Sequence, residues 1–286
     1  WIKKFTNFMG LQLQHLQKTW LKSPWLSVLV GLNFSIVAMV LGRQVMMRER
    51  SQFLELIQSD AQVIEVALKS RLGDKILTLE HMGDRLILWS DKTENIWQTD
   101  TYSYLESYSH ILALARIDPD FQVISVIPTL KTDNVTRLND QIKLQQQRVI
   151  TQSKIFAETQ ISDLVELNYF NQTLKVGLLV YVPLFKDQIF QGWLVAGIDV
   201  DRLFNKLLTE LAQIQNYHVA LVEDENQIYN TNPPKETGQI SPKQAAYRQI
   251  LPVEIAGASW KLEIIPSSKI LREHYSYLST AIFLGG

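Results

Sequence analysis

The sequence runs to 286 residues, 46% of them hydrophobic and 20% charged, with a formal net charge of −1. That length can bury a sizeable core, and 28 basic against 29 acidic residues leave no global field to hold a nucleic-acid backbone, so nucleic acid is excluded as a partner. Cysteine is absent, which removes disulfide frameworks, thiolate zinc sites, iron–sulfur clusters and cysteine nucleophiles.

The first element is cationic and amphipathic. Residues 1–22 hold Lys3, Lys4, Lys18 and Lys22 and no acid, and Ile2, Phe5, Met9, Leu13, Leu16 and Trp20 recur at helical spacing. This reads as an interfacial segment with its lysines toward lipid headgroups. Residues 23–42, SPWLSVLVGLNFSIVAMVLG, carry no charge and reach the length needed to cross about 30 Å of hydrocarbon. A signal peptide would need a shorter lead and a small-x-small cleavage site, and a soluble core helix is rarely so long without charge. The reading is a transmembrane helix. Arg43, Arg48 and Arg50 on its far flank weaken the positive-inside signal, and the lysines favour a cytoplasmic N-terminus.

Residues 43–90 continue as a stalk helix, with an apolar stripe through Ile57, Ala61, Ile64, Leu68, Leu72, Ile76, Leu79, Met82 and Leu86 that only Gly73 and Gly83 interrupt. Such a stripe is core or a dimer seam, and its role is mechanical. Hairpins follow. ILALARI and QVISVI flank an Asp118-Pro119-Asp120 turn, and residues 175–185 and 189–198 flank Lys186 to Gln188. Between these pairs, residues 138–158 are Gln-rich and read as a helix. A linker helix over 201–216, capped by Asp199 or Asp201, leads to two further hairpins, HVALV with QIYN and YRQILPVEI with SWKLEIIP. The last residues, 267–286, read as the start of a second membrane helix, and the chain as a piece of a longer protein. Residues 43–272 would then lie between two crossings, in the periplasm of a cell whose inner membrane holds both.

Two antiparallel sheets with flanking helices, mounted on a long N-terminal helix, make an α+β chain with a lobe at 91–200 and a second at 217–266. The segments ARIDPDF, VGLLVYVPLF and QGWLVAGIDVDRLF carry the likeness: a turn, a core strand, and a glycine-led strand that runs into the linker helix. In these the chain resembles the extracytoplasmic double-Cache and CHASE sensor domains of bacterial transmembrane receptors, which have tandem PAS-like lobes. The resemblance implies a small-molecule ligand in the first, membrane-distal lobe, a parallel homodimer, and a cytoplasmic output such as a histidine kinase of a two-component system, a diguanylate cyclase or a chemotaxis signalling domain. No H-R-D or D-F-G set, GGDEF string or nucleotide-binding glycine box is in the sequence.

No enzyme is read here. His15, His81, His110, His218 and His274 show no metal-ligand spacing, Asp118 and Asp120 belong to a turn, and no G-x-S-x-G elbow places a nucleophile. Neither a cofactor nor a metal is expected. The first lobe concentrates Trp97, Tyr102, Tyr104, Tyr108, His110, Arg116, Tyr181 and Asp199, the mix of rings and hydrogen-bonding groups that orients a small guest. Of these, Tyr108, His110, Arg116, Tyr181 and Asp199 are the candidate ligand contacts; by resemblance to amino-acid-binding members, Asp199 stands where an ammonium would be received. The alternative is a membrane-anchored accessory or scaffold subunit that docks on another protein and binds nothing small.

Overall fold

The computed structural model describes residues 24–88, 94–145, 157–167, 176–231 and 240–274. The expected interfacial segment, the apolar run after 274 and the Gln-rich stretch beyond 145 lie outside them. The chain divides into two compact units, residues 1–56 and residues 57–286.

The apolar span and the stalk belong to one helix, α1 (Pro24–Leu88), which Gly73 and Gly83 do not interrupt. In the first unit its side chains are bare: Phe34 is 73% and Met39 76% exposed. Among the described residues it is the one helix long and apolar enough to cross a membrane.

In the second unit the stripe of α1 is intramolecular core. Ile57, Ala61, Ile64 and Leu68 are fully buried, and Leu72, Leu79, Met82 and Leu86 nearly so. Of the two roles open to that stripe, core and dimer seam, burial within one chain selects core.

The helix α2 (Glu94–Ser107) leads into the first sheet. It is built from β1 (Ile111–Ile117), β2 (Val123–Ile127), β3 (Gln160–Ile161), β4 (Val165–Glu166), β5 (Val176–Lys186) and β6 (Ile189–Asp199), all antiparallel, in the order β2-β1-β6-β5-β3 with β4 also on β5. The β1–β2 turn closes as its residues dictate, since Asp118 Oδ1 accepts from the amides of Asp120 and Gln122 at 3.0 and 2.8 Å. Asp187 and Gln188 both take positive φ, the geometry of a tight hairpin turn. Helix α3 (Thr132–Gln145) covers one face of this sheet through Leu138 and Ile142, beginning six residues earlier than the composition suggests.

Alternation along β5 and β6 sorts the side chains. Leu179, Tyr181, Trp193 and Val195 join Ala115 and Ile117 of β1 in a core closed by Leu138, Ile142, Val165 and Leu167. Val182 and Leu184 lie on the other face, against α1, where a Cβ on Gly83 would stand 3.2 and 3.0 Å from them.

Helix α4 (Val200–Thr209) is strongly amphipathic, burying Val200, Leu203, Phe204, Leu207 and Leu208, and ends at Glu210. It is shorter than the 201–216 expected: Leu211 takes an extended conformation and residues 212–216 form a separate 3-10 turn. The second sheet then follows from β7 (Tyr217–Glu223), β8 (Asn226–Asn230), β9 (Gln249–Ile255) and β10 (Ala258–Pro266), in the order β8-β7-β10-β9, with a one-turn helix α5 (Pro242–Ala245) fixed by a Ser241–Gln244 capping box.

The two sheets touch through polar backbone as well as apolar rings. The Ile161 amide donates to the Ala256 carbonyl at 2.8 Å, and Gly257, at φ +77, lies under Gln160 so closely that a Cβ there would stand 1.8 Å from its Oε1. α1 is tied to the second sheet by Tyr217, whose hydroxyl donates to Asp60 at 2.6 Å, and to α4 by Arg71, which donates to the Leu207 carbonyl at 2.7 Å and pairs with Glu210 at 2.9 Å.

Candidate functional site

Where α1, the first sheet, α4 and the second sheet meet, the packing leaves a cavity with a void of about 30 Å³. It is lined by Leu178 and Val180 of β5 with Ile198 of β6, by Leu72, Ile76 and Leu79 of α1, and by Leu203 of α4 and Trp260 of β10. The surface is apolar almost throughout. Polar character comes from Lys75, Tyr104, Tyr108 and His110.

His110 precedes β1 and is held by backbone, since its carbonyl accepts from the Asp199 amide at 2.9 Å. It is 2% exposed and stands edge-on to Tyr108, centroids 6.0 Å apart. Burial, reinforced by the Lys75 and Lys206 cations and opposed by Asp199, pulls its pKa down to about 4, so it is neutral at physiological pH. Its Nδ1 has no hydrogen-bond partner among the described residues, and the same holds for Nε1 of Trp260, 1% exposed. Buried polar atoms are almost always partnered, which makes two such atoms in the walls of one cavity a notable pair.

Tyr104 and Tyr108 lie one helical turn apart, their rings 4.5 Å from centroid to centroid, and the Lys75 ammonium sits 5.2 Å over the Tyr108 ring. The same two rings form part of a second, open groove of about 480 Å³, lined also by Thr78, His81, Asp84 and Arg85. Burial and the neighbouring Tyr108 push the Tyr104 pKa upward, so Tyr104 acts as a neutral hydrogen-bonding group.

Of the five candidate contacts, the structure brings Tyr108 and His110 into the cavity. Asp199 is not among the lining residues; it bonds the His110 carbonyl through its amide, while its carboxylate caps α4 through the Arg202 amide at 3.2 Å and pairs with the Arg202 guanidinium at 3.3 Å. Tyr181 falls on the opposite face of the sheet, fully buried beside Trp193. Arg116, half-buried on β1, is not among the lining residues. Of the other aromatics singled out, Tyr104 lines the cavity, Trp97 is buried in α2 without reaching it and Tyr102 is 48% exposed. Sequence reasoning missed Lys75 and Trp260. Lys75 stood beside an apolar stripe read as purely mechanical; Trp260 comes from the other lobe, and no local pattern predicts that approach. Among the described residues no group of histidines and acids is arranged to hold a metal ion.

No protein-family model matches this chain, and no curated protein matches it. Solved structures do. The ligand-binding domain of the Pseudomonas fluorescens chemoreceptor CtaA, in complex with L-isoleucine, superposes with a TM-score of 0.55 at 10% identity, covering 80% of this chain and 96% of that one. The ligand-binding domain of the Pseudomonas aeruginosa amino-acid chemoreceptor PctB, in complex with L-Gln, gives 0.52 at 13% identity over 81% and 95%. PctC of the same organism, in complex with GABA, gives 0.51 at 11% over 72% and 95%. The chain thus has the α+β, two-lobed fold of these chemoreceptor ligand-binding domains.

Proposed function

We propose that the chain is the sensory region of a membrane-anchored receptor, with its two lobes outside the cytoplasm, a small molecule as its signal and an output on the other side of the membrane. The observation that carries this is the composition of the cavity wall. Leu72, Lys75, Ile76 and Leu79 come from α1, the helix that also bears the bare apolar span, so a guest in the cavity touches the anchoring helix directly. Signalling by such a device requires two states with different affinity for the guest, because a ligand that binds both equally shifts nothing.

A parallel pair of copies, and contact of the span with lipid, belong to this reading. Val63, Val66 and Leu77 of α1 are 47%, 64% and 48% exposed, an apolar strip away from the buried stripe that a second copy of the helix would cover.

The test uses the whole chain in lipid nanodiscs, melted against a library of small metabolites. A guest at 100 times its dissociation constant adds about 2.7 kcal/mol of stability, an upward shift of several degrees. Protease protection in cells should place residues 57–274 outside the cytoplasm. Accessibility from the cytoplasm overturns the reading; a chain that responds to nothing small yet co-purifies stoichiometrically with another protein favours the accessory-subunit alternative.

A further inference from the structure

We infer that the cavity beside α1 takes a small organic carboxylate with a compact apolar body, whose anionic group answers Lys75, His110 and Trp260 and whose body rests on Leu79, Leu178 and Val180. This rests on the sensory reading above and names the class of its ligand.

The argument begins with what the walls lack. Trp260 Nε1 can only donate, and it is buried without an acceptor among the described residues. The neutral His110 has an unmatched Nδ1 in the same lining. Lys75 contributes its ammonium to the lining, over a tyrosine ring and with no acid paired to it among the described residues. Two ring nitrogens on one small cavity therefore lack hydrogen-bond partners among the described residues, and beside them stands a lysine with no acid paired to it.

The apolar share of the lining sets the rest of the guest. Seven aliphatic side chains surround the void, counting only the leucines, valine and isoleucines of α1, the two central strands and α4, and each unmatched polar group placed against them is costly. The guest is therefore a single anionic group on a hydrocarbon body, not a polyol or a dianion.

An amino acid would bring an ammonium as well, and the lining of the cavity itself includes no carboxylate to receive it; Asp84 lines only the groove on the far side of Tyr104 and Tyr108. The acid closest to the cavity by its effect on His110 is Asp199, which already accepts from the Arg202 amide and pairs with its guanidinium. The field that reaches His110 is set by Lys75 and Lys206 against that one committed acid.

A void of about 30 Å³ holds little more than a water molecule, so a guest must widen it. The structure supplies the route. Tyr104 and Tyr108 belong both to the cavity and to the open groove beside it, so parting these two rings joins the spaces into one, with Lys75 lining the first and Asp84 and Arg85 the second.

The experiment is titration calorimetry of the whole chain in nanodiscs of zwitterionic phosphatidylcholine. Isovalerate and phenylacetate are the probes; their primary amides, leucine and phenylalanine are the comparisons. The acids should bind and raise the melting temperature, with the amides and amino acids at least about tenfold weaker. Lys75→Met, at a half-exposed helix position that should fold normally, should weaken the acids about tenfold, and Trp260→Phe several-fold. If the amides or amino acids bind as well as the acids, or Lys75→Met binds the acids as the parent does, the carboxylate assignment is overturned while the sensory reading stands. If neither acid binds, the assignment is overturned too, and the sensory reading is then decided by the metabolite library and by protease protection.

Discussion

The two faces of the first sheet are made from the same strands, yet they differ in what covers them. On one face Tyr181 and Trp193 fill the space to α3 with rings; Phe121 stacks on Trp193 at 4.9 Å and Phe190 meets it edge-on at 4.5 Å. On the other face α1, α4, Tyr104 of α2 and Trp260 of the second sheet share the covering, and where they meet the void, the lysine and the unmatched ring nitrogens collect. The contrast teaches that a binding site can arise where several elements share the covering of one surface, and that the densest aromatic cluster in a lobe marks core as readily as a site.

That contrast can be broken by mutation, and the largest effect should come from the filled face. Trp193→Ala removes a fully buried indole and should cost about 4 kcal/mol, read from the denaturant midpoint, with isovalerate affinity unchanged wherever the variant is folded. Loss of binding by folded Trp193→Ala would show that the faces are not independent.

Acid should act through the open face. The native imidazole of His110 has its pKa lowered to about 4 from 6.5, so stability present above pH 6.5 is lost as pH falls toward 4, where the unfolded chain takes up the proton and the native one resists it. The full effect is up to about 3 kcal/mol, and the slope of melting temperature against pH in that window should flatten in His110→Gln. His218, also lowered by burial, supplies a residual slope in the same direction.

The seam between the sheets gives a smaller effect. Gly257→Ala forces a Cβ onto Gln160 at positive φ and should cost about 2 kcal/mol, with the loss reduced when Gln160 is also replaced by Ala. Smallest is the helix cap: Asp199→Ala should cost about 1 kcal/mol by chemical denaturation and leave carboxylate affinity in place, since its oxygens serve Arg202. A large loss of affinity in that variant would restore Asp199 as a ligand contact.

Much of the fold was legible in the residues because it is locally encoded. Asp118-Pro119-Asp120 closes its hairpin through its own side chain, the uncharged run before Arg43 declares its length, and the stripe from Ile57 to Leu86 has helical period. The site was legible only in part. Alternation along VGLLVYVPLF separates Leu178 and Val180 from Leu179 and Tyr181 but does not say which set meets the stalk; that depends on contacts more than 80 residues away in sequence. Tyr181 was therefore a candidate on residue type and falls in the core. Lys75 and Trp260 become neighbours of one cavity only through the docking of β10 beneath the first sheet.

The ten residues of α4 are held at both ends: Asp199 fixes the first turn beside His110, and Arg71 of α1 grips the Leu207 carbonyl in the last. Between these fixtures Leu203 faces the void, so the helix is a rod clamped above and below a space that must grow to admit a guest. A rod so clamped either bows or slips one clamp. Arg71 is the weaker of the two, its partner Glu210 being more than half exposed, so occupancy should register as faster hydrogen exchange in the final turn of α4, at Leu208 and Thr209, while the amides around Asp199 stay protected.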